Sequence, residues 1–189
     1  MTAPLQQPFS QALAFGQMGE SLIARWFRER GYNILPVYET ELNTGKGPRV
    51  FAAQCEIVAP DLFAFSPERV FWIEAKHKTA FTWHRLTGKW VTGIDLRHYE
   101  DYLRLNQISP WPIWLMFLQR GGQAKDSPSG SPSGLFGGEL GYLSQHENHR
   151  HTNWGKNGMV YWAYDILTFF APLHELEPLP PPIIIGSAP

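Results

Sequence analysis

Asp61, Glu74 and Lys76 are the residues whose types and spacing offer chemistry most plainly. They stand in Pro60-Asp61-Leu62-Phe63-Ala64-Phe65 and, after a short polar turn, in Val70-Phe71-Trp72-Ile73-Glu74-Ala75-Lys76. Two carboxylates can hold a hard divalent cation through oxygen ligands. A lysine beside that cation can position or activate a water. Such a group suits the cutting of a phosphodiester. The plainer alternative is a surface ion pair between a strand lysine and two acids.

Strand geometry decides which of these side chains can meet. Residues two apart in a strand share a face, so Glu74 and Lys76 point one way and Ile73 and Ala75 the other. Ser66-Pro67-Glu68 is turn chemistry. A tight turn there makes the two runs an antiparallel pair and brings Asp61 to the C-terminal end of the second. The flanks are strongly apolar (Leu62, Phe63, Phe65, Phe71, Trp72, Ile73), and charges emerging from buried strands need a reason.

The other elements follow from periodicity. Phe15, Met18, Leu22, Ile23 and Trp26 form a helical stripe, predicting a helix from about Phe9 to Arg30 that Gly31 stops. Asn33 to Thr40 reads as a strand that Pro36 assigns to an edge. Val50 to Val58 reads as one further strand after a Gly-rich turn at Thr44–Pro48. Phe81 to Ile94 reads as a hairpin turning at Gly88. Asp95 is placed to cap a helix running from Leu96 to about Gln107. Pro112 to Leu118 is apolar enough for a central strand. A strand at Met159–Tyr164 and a short helix after Asp165 close the order. The expected class is α/β, with a central mixed β-sheet flanked by helices. The expected organisation is a single domain over residues 1–170 with a flexible Gly/Ser/Pro insertion at about 121–139, followed by a Pro-rich C-terminal tail over 171–189.

Composition bounds the function. The chain has 189 residues, 43% hydrophobic and 14% aromatic, which excludes wholesale disorder. A formal net charge of −1 excludes a generic basic nucleic-acid coat, so any nucleic-acid contact must be local. One cysteine, Cys55, excludes a disulfide framework and a cysteine-rich zinc ribbon; it reads as a small buried hydrophobe. The N-terminus lacks the pattern of a signal peptide and no apolar run reaches membrane-spanning length, so the expected location is cytoplasmic. Neither a Gly-x-Ser-x-Gly elbow nor a Gly-x-x-x-x-Gly-Lys-Ser/Thr loop occurs, which disfavours a serine hydrolase and an NTPase.

Pro60-Asp61…Glu74-Ala75-Lys76 resembles the PD-(D/E)XK signature of the restriction-endonuclease-like nuclease superfamily. Upstream, Gly16-Gln17-Met18-Gly19-Glu20-Ser21-Leu22 and then Phe27-Arg28-Glu29-Arg30-Gly31-Tyr32-Asn33-Ile34-Leu35 resemble the opening of archaeal Holliday-junction resolvases and related small nucleases. The resemblance spans residues 9 to 118; the hairpin after Lys76 and the region after Gly121 depart from a simple resolvase. It implies a restriction-endonuclease-like core and metal-dependent hydrolysis of DNA. Asp61 and Glu74 would ligate Mg²⁺ or Mn²⁺ with the Ala75 backbone carbonyl as a further ligand. Lys76 would hold the attacking water, and Glu20 would bind metal through water or orient the nucleophile.

Three further features bear on partners. Residues 76–104 form the one clearly basic stretch, in which Lys78, Arg85, Lys89, Arg97 and the aromatic Trp83 are candidate DNA contacts. The alternative is an exposed hairpin packed on a partner subunit, and a homodimer cutting one strand per subunit is the resolvase form of that reading. The proline-rich tail suits a protein partner, and a catalytically inactive nuclease-fold protein serving DNA binding or assembly is the rival to an enzyme. His146, His149 and His151 lie close in sequence beside Glu147 but read as a polar loop, with a zinc site the minor alternative. Tyr99 and Tyr102 are within reach of the acids, with core packing the preferred role for Tyr99.

Overall fold

The computed structural model describes residues 9–37, 48–52, 56–152 and 158–177. Cys55, most of the Gly-rich turn at 44–48, the end of the first expected strand and the Pro-rich stretch from 178 onward lie outside the described residues. The chain opens with helix α1 (Phe9–Arg28). Its end is set by Gly31 at φ 87°. There the Tyr32 amide donates to the Phe27 carbonyl and the Gly31 amide to that of Arg28. The rings of Phe27 and Tyr32 pack edge to face across this cap at 5.6 Å. This is a left-handed C-terminal cap, in which a glycine avoids the steric cost of a Cβ.

A six-stranded sheet follows the order β1 (Asn33–Pro36), β4 (Leu62–Phe65), β5 (Val70–Lys78), β8 (Ile113–Arg120), β9 (Ser133–Glu139) and β12 (Thr168–Ala171). β1 is an edge strand, as Pro36 requires. β5 and β8 run parallel and every other pair is antiparallel, so the sheet is mixed. Between β5 and β8 the chain forms β6 (Thr82–His84), β7 (Lys89–Asp95) and α2 (Leu96–Ile108). β6 and β7 join β11 (Met159–Ala163) and β10 (His149–His151) in a four-stranded sheet.

Helices flank the central sheet on both faces. On one, Leu22, Ile23, Trp26 and Phe27 of α1 pack on Ile73, Ala75, Met116 and Leu118, with Leu176 of the short α4 (Leu173–Leu176) beside them. On the other, Tyr99, Tyr102 and Leu105 of α2 pack with Leu115, Phe117, Phe136, Ile94 and Trp162, and α3 (Leu140–Leu143) completes that layer. The α/β class with a central mixed sheet is the one expected.

Four expectations are corrected. Residues 133–139 are not part of a flexible insertion but form β9, with 134–138 buried. The glycines that suggested a loop are there because neighbours crowd the strand. A Cβ on Gly137 would lie 2.6 Å from the Leu115 carbonyl oxygen and the Met116 sulfur. The boundary at 171 is also misplaced, because Ala171 ends β12 and Leu176 is buried. Val50–Val58 is not one strand: β2 (Arg49–Phe51) and β3 (Glu56–Val58) pair antiparallel. Asp95 stands at the N-terminus of α2 without a capping hydrogen bond from its side chain.

Candidate active-site cleft

The β4–β5 hairpin brings the acids together. Ser66 closes its turn, donating its amide to the Arg69 carbonyl at 2.7 Å and accepting the Glu68 and Arg69 amides on Oγ. The resulting register pairs Leu62 with Ile73, so Asp61 lies across from Glu74. Asp61 then takes over from the ended strand: the Ala75 amide donates to its Oδ2 at 2.9 Å. The amide and carbonyl of one strand residue point to the same side, so the Ala75 carbonyl faces the Asp61 side.

Glu74 is 1% exposed. The Tyr102 hydroxyl on α2 donates to its Oε2 at 2.6 Å. The Lys76 ammonium stands against Oε1 in an ion pair. With Pro48, Arg49, Val58, Ala59, Arg97 and His98, these groups line a cleft of about 300 Å³. A larger and mainly apolar cavity of about 460 Å³ opens among Phe27, Phe71, Trp114 and Phe170 on the α1 face, away from the carboxylates. Asp61, Glu74 and Lys76 therefore share the smaller, charged cleft.

Burial and crowding of like charge set the protonation states. Burial raises the Asp61 carboxyl well above its usual value, and Glu74 and Glu20 add to the rise against the pull of Lys76 and the Ala75 amide. Burial likewise raises Glu20; Lys76 opposes the shift and Glu74 reinforces it. Burial alone would lower the Lys76 amine, but Glu74, Asp61 and Glu20 outweigh it and hold it above the ordinary lysine range. The Tyr102 phenol is raised by burial and by Glu74 and Asp61. Lys76 and Tyr102 are thus donors at neutral pH, not bases.

Glu20 arrives on α1, from the opposite layer. His77 binds that helix to the strand carrying Glu74 and Lys76. Its ring stacks on Phe15 at 3.6 Å, its Nδ1 lies 2.6 Å from the Phe15 carbonyl oxygen, and its Nε2 accepts from Arg120 Nε. Those partners fix the neutral tautomer with the proton on Nδ1. Glu20 stays at one remove: among the described residues, no three His, Cys, Asp or Glu side chains are grouped to hold a metal ion.

The candidate DNA contacts divide. Arg97 lines the cleft. Lys78 follows Lys76 on the same strand face, its amine lowered by burial and by Lys76 while Asp95 and Glu74 oppose the shift. Arg85, Lys89 and Trp83 sit on the β6–β7 hairpin, where Lys89 pairs with Asp165 at 2.7 Å and Trp83 packs edge to face on Trp90 at 5.2 Å. His149 is the middle of a ring stack on strand β10, 3.8 Å from His84 and 4.5 Å from Tyr161. Tyr99 is in the core, as preferred, and donates to Glu147 at 2.5 Å.

Arg49 and His98 are cleft residues to which sequence reasoning assigned no role, while Tyr102, placed within reach of the acids, gains its partner Glu74 only in the fold. Tyr102 had a signal: it follows Tyr99 by three residues on a helix, and a buried phenol needs a hydrogen-bond partner. Arg49 had none, since it follows a Gly-rich turn.

No family model matches the chain, and no curated protein matches it. Among solved structures, the 1.6 Å structure of Archaeoglobus fulgidus Hjc, a Holliday junction resolvase from an archaeal hyperthermophile, aligns with a TM-score of 0.45 at 8% identity. The alignment covers 79% of this chain and 89% of that one. A likeness this distant says nothing of the chemistry in the cleft. Among the described residues, no helix is long and apolar enough to cross a membrane.

Proposed function

We propose that the chain is a metal-dependent nuclease that hydrolyses DNA phosphodiester bonds at the Asp61–Glu74–Lys76 cleft. The observation that carries this reading is the convergence of those three side chains, across one hairpin register, in a charged cleft walled by Arg49 and Arg97. The donor set fits Mg²⁺ or Mn²⁺. Glu74 Oε1 is buried and turned into the cleft against the Lys76 ammonium. Asp61 commits only Oδ2 to the backbone. Mg²⁺ is held by one or two carboxylates with waters completing its shell, so two acids suffice.

A bound cation would polarise the scissile phosphate and lower the pKa of its water. Asp61, Glu74 and the Ala75 carbonyl would hold it. Lys76, kept protonated by its acids, would donate to a phosphate oxygen or to the attacking water and steer it in line. Glu20, at one remove, would orient water. Arg49 and Arg97 would position the phosphates flanking the cut.

The test is cleavage of supercoiled, linear, single-stranded and four-way-junction DNA with Mg²⁺, Mn²⁺ or EDTA, by the native chain, Asp61→Asn and Lys76→Ala. Cleavage in EDTA, or full activity in both variants, would sink the mechanism. Preference for the junction, with a dimer in solution, would extend the reading to a resolvase. A non-catalytic DNA-binding scaffold is the second reading, favoured by the Lys76–Glu74 ion pair and by the lack of a three-ligand cage among the described residues. Mn²⁺ titration separates them: the scaffold binds none.

A further inference from the structure

Both oxygens of Glu74 are spoken for, but by different kinds of group. Oε1 faces the ammonium at the end of the Lys76 side chain. Oε2 takes the phenol of Tyr102, which is 1% exposed and held by its ring within the α2 core. Helix α2 is itself anchored there: Asp101, 7% exposed, accepts the Val58 amide of β3 at 3.4 Å. An arriving cation can displace the lysine; it cannot displace a phenol fixed by packing on a buried helix face.

We infer that Tyr102 is a specificity-determining residue: by occupying Oε2 it leaves Glu74 one metal-facing oxygen and so favours Mg²⁺ over Ca²⁺. This rests on the metal site proposed above. Ca²⁺ takes more oxygens, at longer range, and accepts a carboxylate through both of its oxygens. Mg²⁺ demands near-ideal octahedral geometry and keeps its waters, so single oxygens from a few carboxylates suit it. Removing only the hydroxyl opens Glu74 to bidentate binding. The selectivity should then move towards the larger ion.

The experiment is calorimetric titration of the full chain with Mn²⁺, followed by displacement with Mg²⁺ or Ca²⁺, for the native protein and Tyr102→Phe. Tyr102→Met, which keeps an apolar side chain at the site, serves as the second variant, and thermal melting reports folding of each. The expected result is a rise of about tenfold in the Ca²⁺-to-Mg²⁺ affinity ratio when the hydroxyl is absent, the scale on which partners of metal-binding carboxylates act. An unchanged ratio in folded variants, or a shift towards Mg²⁺, overturns the inference and leaves the metal site standing. A native protein that binds none of the three ions overturns the metal site and the inference with it.

Discussion

Gly19 and His77 are packed so closely that a Cβ on the glycine would lie 2.4 Å from the Cβ of the histidine. That contact joins the helix bearing Glu20 to the strand bearing Glu74 and Lys76. Gly19→Ala must push α1 off β5, since neither atom is the free end of a side chain. Overpacking of this kind costs about 1–3 kcal/mol. For a chain of this size that is a fall in Tm of roughly 2–12 °C. Cleavage should fall with it, because Glu20 moves away from the acids. Calorimetry and the cleavage assay check both; an unchanged Tm would show that the helix and strand do not touch there.

Residues 133–139 should behave as sheet interior. Amide exchange is the direct measure: protection should be high from Leu135 to Gly138 and low across 121–132, which has no regular structure. Gly137→Val should destabilise more than Gly130→Ala. Gly137 has the Leu115 carbonyl within 2.6 Å of the added Cβ, whereas Gly130 has open space but a φ of 88°. Uniform fast exchange from 121 to 139 would restore the flexible insertion.

The legible parts of the molecule are those whose signal is local. The hairpin register that sets Asp61 against Glu74 is written in Ser66-Pro67-Glu68 and in the alternation of two short strands. The end of α1 is written in Gly31. What was not legible depends on neighbours distant in sequence. β9 is rich in glycine because β8, Leu143 and Ala171 approach it, and none of these is visible from Gly134-Leu135-Phe136-Gly137-Gly138 alone. Tyr102 was within reach of the acids by position, but its hydrogen bond to Glu74 depends on how α2 packs across the sheet. The ion pair of Lys89 with Asp165, 76 residues on, could not be read from the basic run at all.

Stability should depend on pH through the His84–His149–Tyr161 stack. Burial, with His84 and His151 nearby, lowers His149 from 6.5 to about 4. A histidine depressed in the folded state takes up its proton less readily there than when unfolded. Its contribution is therefore complete above pH 6.5 and is lost as pH falls through the window down to about 4. The raised carboxyls of Asp61 and Glu20 act in the opposite sense, since protonation relieves their burial. The discriminating quantity is thus a difference. Urea unfolding at pH 7 and pH 4.5 should show a smaller loss of stability for His149→Phe than for the native chain. Equal losses would remove His149 from the pH response.

Cations around the cleft and on the hairpin should separate in a salt titration. Lys89 is neutralised in the fold by Asp165 at 2.7 Å, and it lies on the β6–β7 hairpin. Arg97 makes no salt bridge among the described residues and lines the cleft beside Asp61, Glu74 and Lys76. Each lost phosphate contact lowers the slope of log K against log salt by about 0.7 on single strands and about 0.9 on duplex DNA. Arg97→Ala should lose one such unit and weaken DNA binding. Lys89→Ala should leave both slope and affinity nearly unchanged, because its charge is already spent within the protein. Anisotropy measurements in EDTA, where no cleavage is expected, isolate binding from chemistry. If Lys89→Ala instead showed the larger loss, the DNA would run over the hairpin and the cleft would not be where its phosphates are held.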